Sequence, residues 1–113
     1  MQIQVSTDHN IEGRMALDAG VRGAVEKALH RLGDHITRVE VHLSDENGDK
    51  SGQDDKRCVM EARLEGRHPV AVTHHAQTVG QAVSGAAGKL HRMIESTLQR
   101  AARSGKSPRP VDE

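Results

Sequence analysis

The 113-residue chain is predicted to fold as α+β, in the order β-α-β-β-β-α, with a four-stranded mixed sheet and two helices packed on one face. Four short segments alternate apolar and polar residues, the period of a half-buried strand, and two longer ones repeat apolar residues at steps of three and four, the period of an amphipathic helix. Strands with one apolar side and helices with one apolar stripe bury those surfaces against each other, which places both helices on the same side of the sheet. The length suits one domain with one core and is short for two.

The first strand is read at 2–8, where Gln2, Ile3, Gln4, Val5 and Ser6 alternate. A helix follows from about Gly13 to Leu32, with Leu17, Val21, Val25, Ala28 and Leu32 on its buried face and Gly33 at the position of a C-cap glycine. From Ile36 to Ser44 the alternation returns, Val39, Val41 and Leu43 against Arg38, Glu40 and His42. Asp45 to Asp55 is polar, acidic and glycine-containing, and is expected to be a mobile loop. The third strand, about Lys56–Glu65, places Cys58, Met60, Ala62 and Leu64 on one side. Gly66 lies in a short turn, and Pro69 precedes a fourth strand at about Val70–His75.

Thr78 and Gln81 fit a capping box at the start of a second helix, about Val79–Arg103. Its apolar stripe is Val79, Ala82, Val83, Ala86, Leu90, Met93, Ile94 and Leu98. The domain is thus expected to span 1–103, and 104–113, with Pro108 and Pro110, to be a disordered tail. A crossover through the first helix makes strands one and two parallel, and strands two to four an antiparallel meander.

Composition narrows the function. The chain has no Phe, Trp or Tyr, so the usual stacking platform for single-stranded bases is missing and sequence-specific single-strand recognition is disfavoured. A core of Ile, Leu, Val, Met and Ala gains about 1.5–3 kcal/mol per fully buried larger side chain, which predicts modest stability. The single Cys58 fits a reducing compartment and, facing the core, an inert thiol. With no secretory signal pattern and no apolar run of the ~20 residues a span needs, the protein reads as cytoplasmic, with no membrane partner.

Eight histidines raise the question of a metal, but His74 and His75, adjacent on a strand, point to opposite faces and no metal-ligand spacing occurs. No nucleophile, phosphate-loop or dinucleotide pattern is present, so neither catalysis, a cofactor nor a small-molecule substrate is expected. Gly80, Gly85 and Gly88 stand inside the second helix, where close helix–helix approach is the simpler reading.

Sixteen Lys and Arg balance sixteen Asp and Glu, yet their placement is uneven. Gly85, Lys89, Arg92, Ser96, Arg100 and Arg103 recur at steps of three or four and line one side of the second helix, offset from its apolar stripe. From Lys89 to Arg109 there are six Lys or Arg and one acid, Glu95. Arg22, Lys27 and Arg31 form a second basic group outside the first helix; Arg22 is spaced for a weak pair with Glu26, while Lys27 and Arg31 are like-charged at i,i+4. One reading is a row of RNA phosphate contacts. The other is a solvated helix with cations near its C-terminus, where the helix dipole favours them. Spacing alone does not choose between them.

The element order, the segment Ala82-Val83-Ser84-Gly85-Ala86-Ala87-Gly88-Lys89-Leu90-His91-Arg92 and the start Met1-Gln2-Ile3-Gln4-Val5 resemble the ribosome hibernation-promoting factor and ribosome-associated inhibitor A family, in its short form. The resemblance covers roughly 1–103. It implies a bacterial protein that binds ribosomal RNA of the small subunit in the channel for messenger and transfer RNA, inactivating ribosomes under starvation. Lys89 and Arg92 are the contacts it carries over; Arg100, Arg103, Arg22, Lys27 and Arg31 rest on charge. Ser84 and Gly88 stand where the family often has Asp, which leaves the stripe more positive, and the family's aromatics near the helix ends are missing, with His35 in one such neighbourhood. Two other functions suit the same residues: a double-stranded-RNA-binding module, which reads A-form shape without aromatics, and a protein-interaction domain using the uncovered sheet face or the acidic loop.

Overall fold

Alternation along the strands decides which side of the sheet is buried. In the computed structural model, which describes residues 1–8, 14–46 and 55–106 (14–16 and 103–106 as backbone only), the elements run β1 (Gln2–Thr7), α1 (Arg14–Leu29), a 3-10 helix (His30–His35), β2 (Ile36–Asp45), β3 (Lys56–Leu64), β4 (Val70–Ala76) and α2 (Val79–Lys106). The sheet order is β1-β2-β3-β4, with β1 parallel to β2 and the remaining pairs antiparallel. The α+β class and the β-α-β-β-β-α order are therefore as the periodicities predict. Ile3 pairs with Val39, Val41 with Met60, Leu43 with Cys58, and Met60 with Val72. All of these are buried on the side covered by α1 and α2.

One local departure from alternation is required. Ile36 and Val39 are both buried although three residues apart, which a regular strand does not allow. The register with β3 shifts between Ile36 and Arg38, and this bulge at Thr37 turns both side chains inward. The Thr37 hydroxyl donates to the Arg63 carbonyl at 3.1 Å and fastens the irregularity. On the uncovered face Glu40 is flanked by Arg38 at 3.2 Å, His42 at 3.7 Å and Arg63 at 4.0 Å.

Both helices are positioned by small shifts of the expected stripes. In α1 the fully buried residues are Val21, Val25 and Leu29, while Leu17, Ala28 and Leu32 pack at the margin of the core. The chain tightens into the 3-10 helix after Leu29, so Gly33 is no C-cap glycine; positive φ falls on Gly66, at 72°, in the β3–β4 turn. In α2 Ala82, Val83, Ala86, Ala87, Leu90 and Ile94 are buried, but Met93 is 46% exposed and is not part of the core. Met93 lies at one margin of the stripe and is left exposed, while Ala87 at the other margin is buried. The Thr78 hydroxyl accepts from the Gln81 backbone N–H at 3.1 Å, the N-cap that starts α2.

The β2–β3 hairpin closes through charge. The Lys56 ammonium donates to Asp45 at 3.1 Å and Asp55 at 3.2 Å, both carboxylates being buried. The Asp45 hydrogen bond, reinforced by Asp55 and opposed by desolvation, holds Lys56 above the ordinary lysine range. The expected mobile loop beyond this closure, residues 47–54, lies outside the described residues. So does 107–113 of the expected tail; its first residues, 104–106, belong to α2.

Candidate nucleic-acid interface

The two margins of α2 are told apart by what they touch. Val79, Gly80 and Val83 face Leu17, Gly20, Val21 and Ala24 of α1 across an apolar cleft of about 290 Å³, which carries no polar side chain to orient an anion. On the other margin Gly85 and Lys89 meet β4. A Cβ on Gly85 would lie 2.2 Å from Cδ2 and Nε2 of His74, so this glycine permits a helix–strand contact rather than the helix–helix approach expected. Gly80 has open space beside it, and at Gly88 the nearest group is the Arg92 guanidinium, 3.6 Å from where a Cβ would stand. Neither is a point of close helix approach.

The stripe thus starts at Lys89 beside β4, on the margin of α2 away from α1, and continues along the helix through Arg92 and Ser96 to Arg100. Lys89 is half-buried there and donates to the Thr73 carbonyl at 3.0 Å. Arg92 and Arg100 are exposed. The α2 backbone carries Arg103 within the helix, its side chain lying outside the described residues.

Cations on α1 divide in the same way. Arg22 does not pair with Glu26: it binds Asp18 at 2.7 Å and also donates to the Ile3 carbonyl. It therefore sits at the β1 margin, across the sheet from the α2 stripe, and the two do not form one surface. Lys27 and Arg31 are exposed, Arg31 within the 3-10 helix that α2 packs against in its later turns. Among the described residues, Lys27, Arg31, Arg92 and Arg100 enter none of the ion pairs. These four are free to meet an anion, whereas Lys89 and Arg22 already serve backbone carbonyls. Arg67, which the sequence reading does not single out, is exposed in the β3–β4 turn, and the Glu65 N–H donates to the His35 carbonyl at 3.0 Å, which brings this turn beside the 3-10 helix.

Cys58 is buried, and burial pushes its thiol up to about 12. His74 and His75 fall on opposite faces, His74 under α2 and His75 exposed beside Glu46 at 3.1 Å. Among the described residues no three His, Cys, Asp or Glu side chains converge as metal ligands, and no helix is long and apolar enough to cross a membrane.

Residues 9–101 match the family described as sigma 54 modulation protein / S30EA ribosomal protein. A ribosomal subunit interface protein from Coxiella burnetii shares the fold, with a TM-score of 0.67 at 17% identity over 88% of this chain and 99% of that one. The N-terminal domain of Protein Y from Thermus thermophilus aligns with a TM-score of 0.62 at 25% identity, over 86% of this chain and 99% of its own. No curated protein sequence matches the chain.

Proposed function

Because the chain belongs to the sigma 54 modulation / S30EA ribosomal protein family, we propose that it is a ribosome-associated inhibitor that occupies the messenger and transfer RNA channel of the small subunit. It acts by steric occlusion held by electrostatics, in the cytoplasm of a bacterium under starvation, with no reaction catalysed and no cofactor. The observation that carries this reading is the segregation of α2. Its apolar stripe is spent on the sheet, while Arg92 and Arg100, with Lys27 and Arg31 of the neighbouring helical layer, stand exposed and unpaired by protein acids among the described residues. Arg103 extends the same row. Lys89 and Arg22 contribute to the field at the surface without letting go of Thr73 and Ile3.

The test is sedimentation of the protein with purified small subunits across a salt series. Binding is expected at low salt, with log K falling by roughly 0.7–0.9 per phosphate contact for each unit of log salt. A protein that stays in the supernatant at low salt overturns the reading. Arg92→Glu with Arg100→Glu is expected to weaken binding and flatten the salt dependence while the melting curve is retained. Free duplex RNA that competes on equal terms with the subunit turns the reading into that of a general double-stranded-RNA module.

A further inference from the structure

Exposed cations are not confined to the flank of α2. The sheet has two ends, and chain order sorts the ionisable groups between them. At one end the β2–β3 hairpin closes on Asp45, Glu46, Asp55 and Lys56. At the other, the 3-10 helix enters β2 at Ile36, which pairs with Leu64 at the end of β3, and the β3–β4 turn follows. The Glu65 N–H to His35 carbonyl bond ties this turn to the 3-10 helix.

α2 begins at the hairpin end, next to the end of β4, and runs back toward the turn. The seven residues of β4 span about 23 Å, a distance that roughly 15–16 helical residues cover. With 28 residues, α2 passes the β3–β4 turn near Ile94–Leu98, and Arg100 projects beyond it. The burial pattern agrees: Ile94 is the last fully buried residue of α2, and Leu98 is half-buried.

Three elements distant in sequence thus deliver exposed cations to one pole: Arg31 from the 3-10 helix, Arg67 from the turn, and Arg100 from α2, with Arg63 of β3 beside them. Exposed His35 and His68 add imidazole donors. The exposed acids among them are Asp34, Glu65 and Glu95, the last beside His91 at 3.5 Å, against Arg31, Arg63, Arg67 and Arg100, so the pole is net positive, and among the described residues Arg31, Arg67 and Arg100 enter no ion pair. Exposed guanidiniums that come from three separate elements suit a phosphate backbone, because each can take a different phosphate.

We propose that this pole, with Arg67 of the β3–β4 turn at its centre, is an RNA phosphate contact of its own, and that the domain enters RNA pole-first with the acidic hairpin turned away. This deepens the ribosomal RNA reading and rests on it. The polarity orients the approach, since the hairpin end is repelled by phosphate while the pole is drawn in.

The experiment measures binding of the full chain to purified small subunits over a salt series, for wild type, Arg67→Gln, Arg31→Gln/Arg67→Gln and, as a control at the hairpin end, Arg57→Gln. The expected result is a slope of log K against log salt that falls by roughly 0.7–0.9 for each pole arginine removed, and stays at the wild-type value for Arg57→Gln. Pole variants that bind with wild-type affinity and slope overturn the proposal while leaving the ribosomal reading intact. Equal weakening by Arg57→Gln also overturns it, because the effect is then one of total charge. Failure of the wild type itself to bind overturns the ribosomal reading, and the pole with it. Arg31 and Arg67 are exposed, so unchanged melting curves separate lost contacts from lost structure.

Discussion

Replacing Gly85 by alanine probes the closest approach between α2 and the sheet. In an open helix position the substitution would stabilise by about 1 kcal/mol through helix propensity. Here the new Cβ would stand 2.2 Å from two atoms of the His74 ring and 2.7 Å from Cγ, against about 3.5–4.0 Å for an ordinary carbon contact. The ring must retreat or α2 must lift from β4, and overpacking of this kind costs about 1–3 kcal/mol. A net loss of roughly 1 kcal/mol follows from these two effects. With His74→Ala already in place the obstacle is gone, and Gly85→Ala should instead add about 1 kcal/mol. The coupling of roughly 2 kcal/mol, with a change of sign, is the signature. Urea unfolding followed by far-ultraviolet circular dichroism measures it, since the chain has no Trp or Tyr to report by fluorescence. If Gly85→Ala stabilises equally in both backgrounds, the His74 ring does not lie against α2 and the placement of the basic stripe beside β4 fails.

Alkaline pH should destabilise the fold through two groups whose folded values are raised. The Cys58 thiol stays neutral up to about 12 in the folded chain but ionises from 9.0 when unfolded, so stability present below pH 9 is lost between those values, roughly 4 kcal/mol in all. Lys56, raised by Asp45 and Asp55, acts in the same direction above its ordinary 10.5. Cys58→Ala should therefore remove most of the pH slope between 9 and 10.5 in urea titrations and leave the Lys56 part above it; an unchanged slope places the thiol in water. At the start of α2, Thr78→Ala should cost about 1 kcal/mol and Thr78→Ser much less. Equal melting temperatures for both variants would remove the N-cap from the account.

Much of this was legible in the chain because period and burial coincide. Val39, Val41, Leu43, Cys58, Met60, Ala62 and Leu64 alternate and are all buried, so the strands and their inward side follow from sequence. The bulge at Thr37 was not legible, since it depends on two inward residues, Ile36 and Val39, that belong to no single alternation. Met93 was not legible as exposed because steps of three and four do not say which margin of a stripe its partners cover. The basic row on α2 was legible as a row, but not as two kinds of cation. Whether a lysine is free or bound to a carbonyl depends on which strand runs beside it, and Lys89 meets Thr73 only after the chain has turned back sixteen residues later. Arg67 escaped notice for the same reason: its neighbours Arg31 and Arg100 come from other elements.

The bonds from Arg22 to Ile3 and from Lys89 to Thr73 have a consequence for how the molecule behaves in crowded solution. β1 and β4 are the two outermost strands, and each has one carbonyl that accepts from a cation of a helix packed on the sheet. Val70-Ala71-Val72-Thr73 in β4 is uncharged and rich in strand-forming residues, the kind of margin that invites another chain to add on. Charged side chains at a sheet margin are one means of discouraging such addition, and Arg22 and Lys89 stand at the two margins of this sheet. Removing Lys89 would leave the Thr73 carbonyl at the β4 margin without its cation.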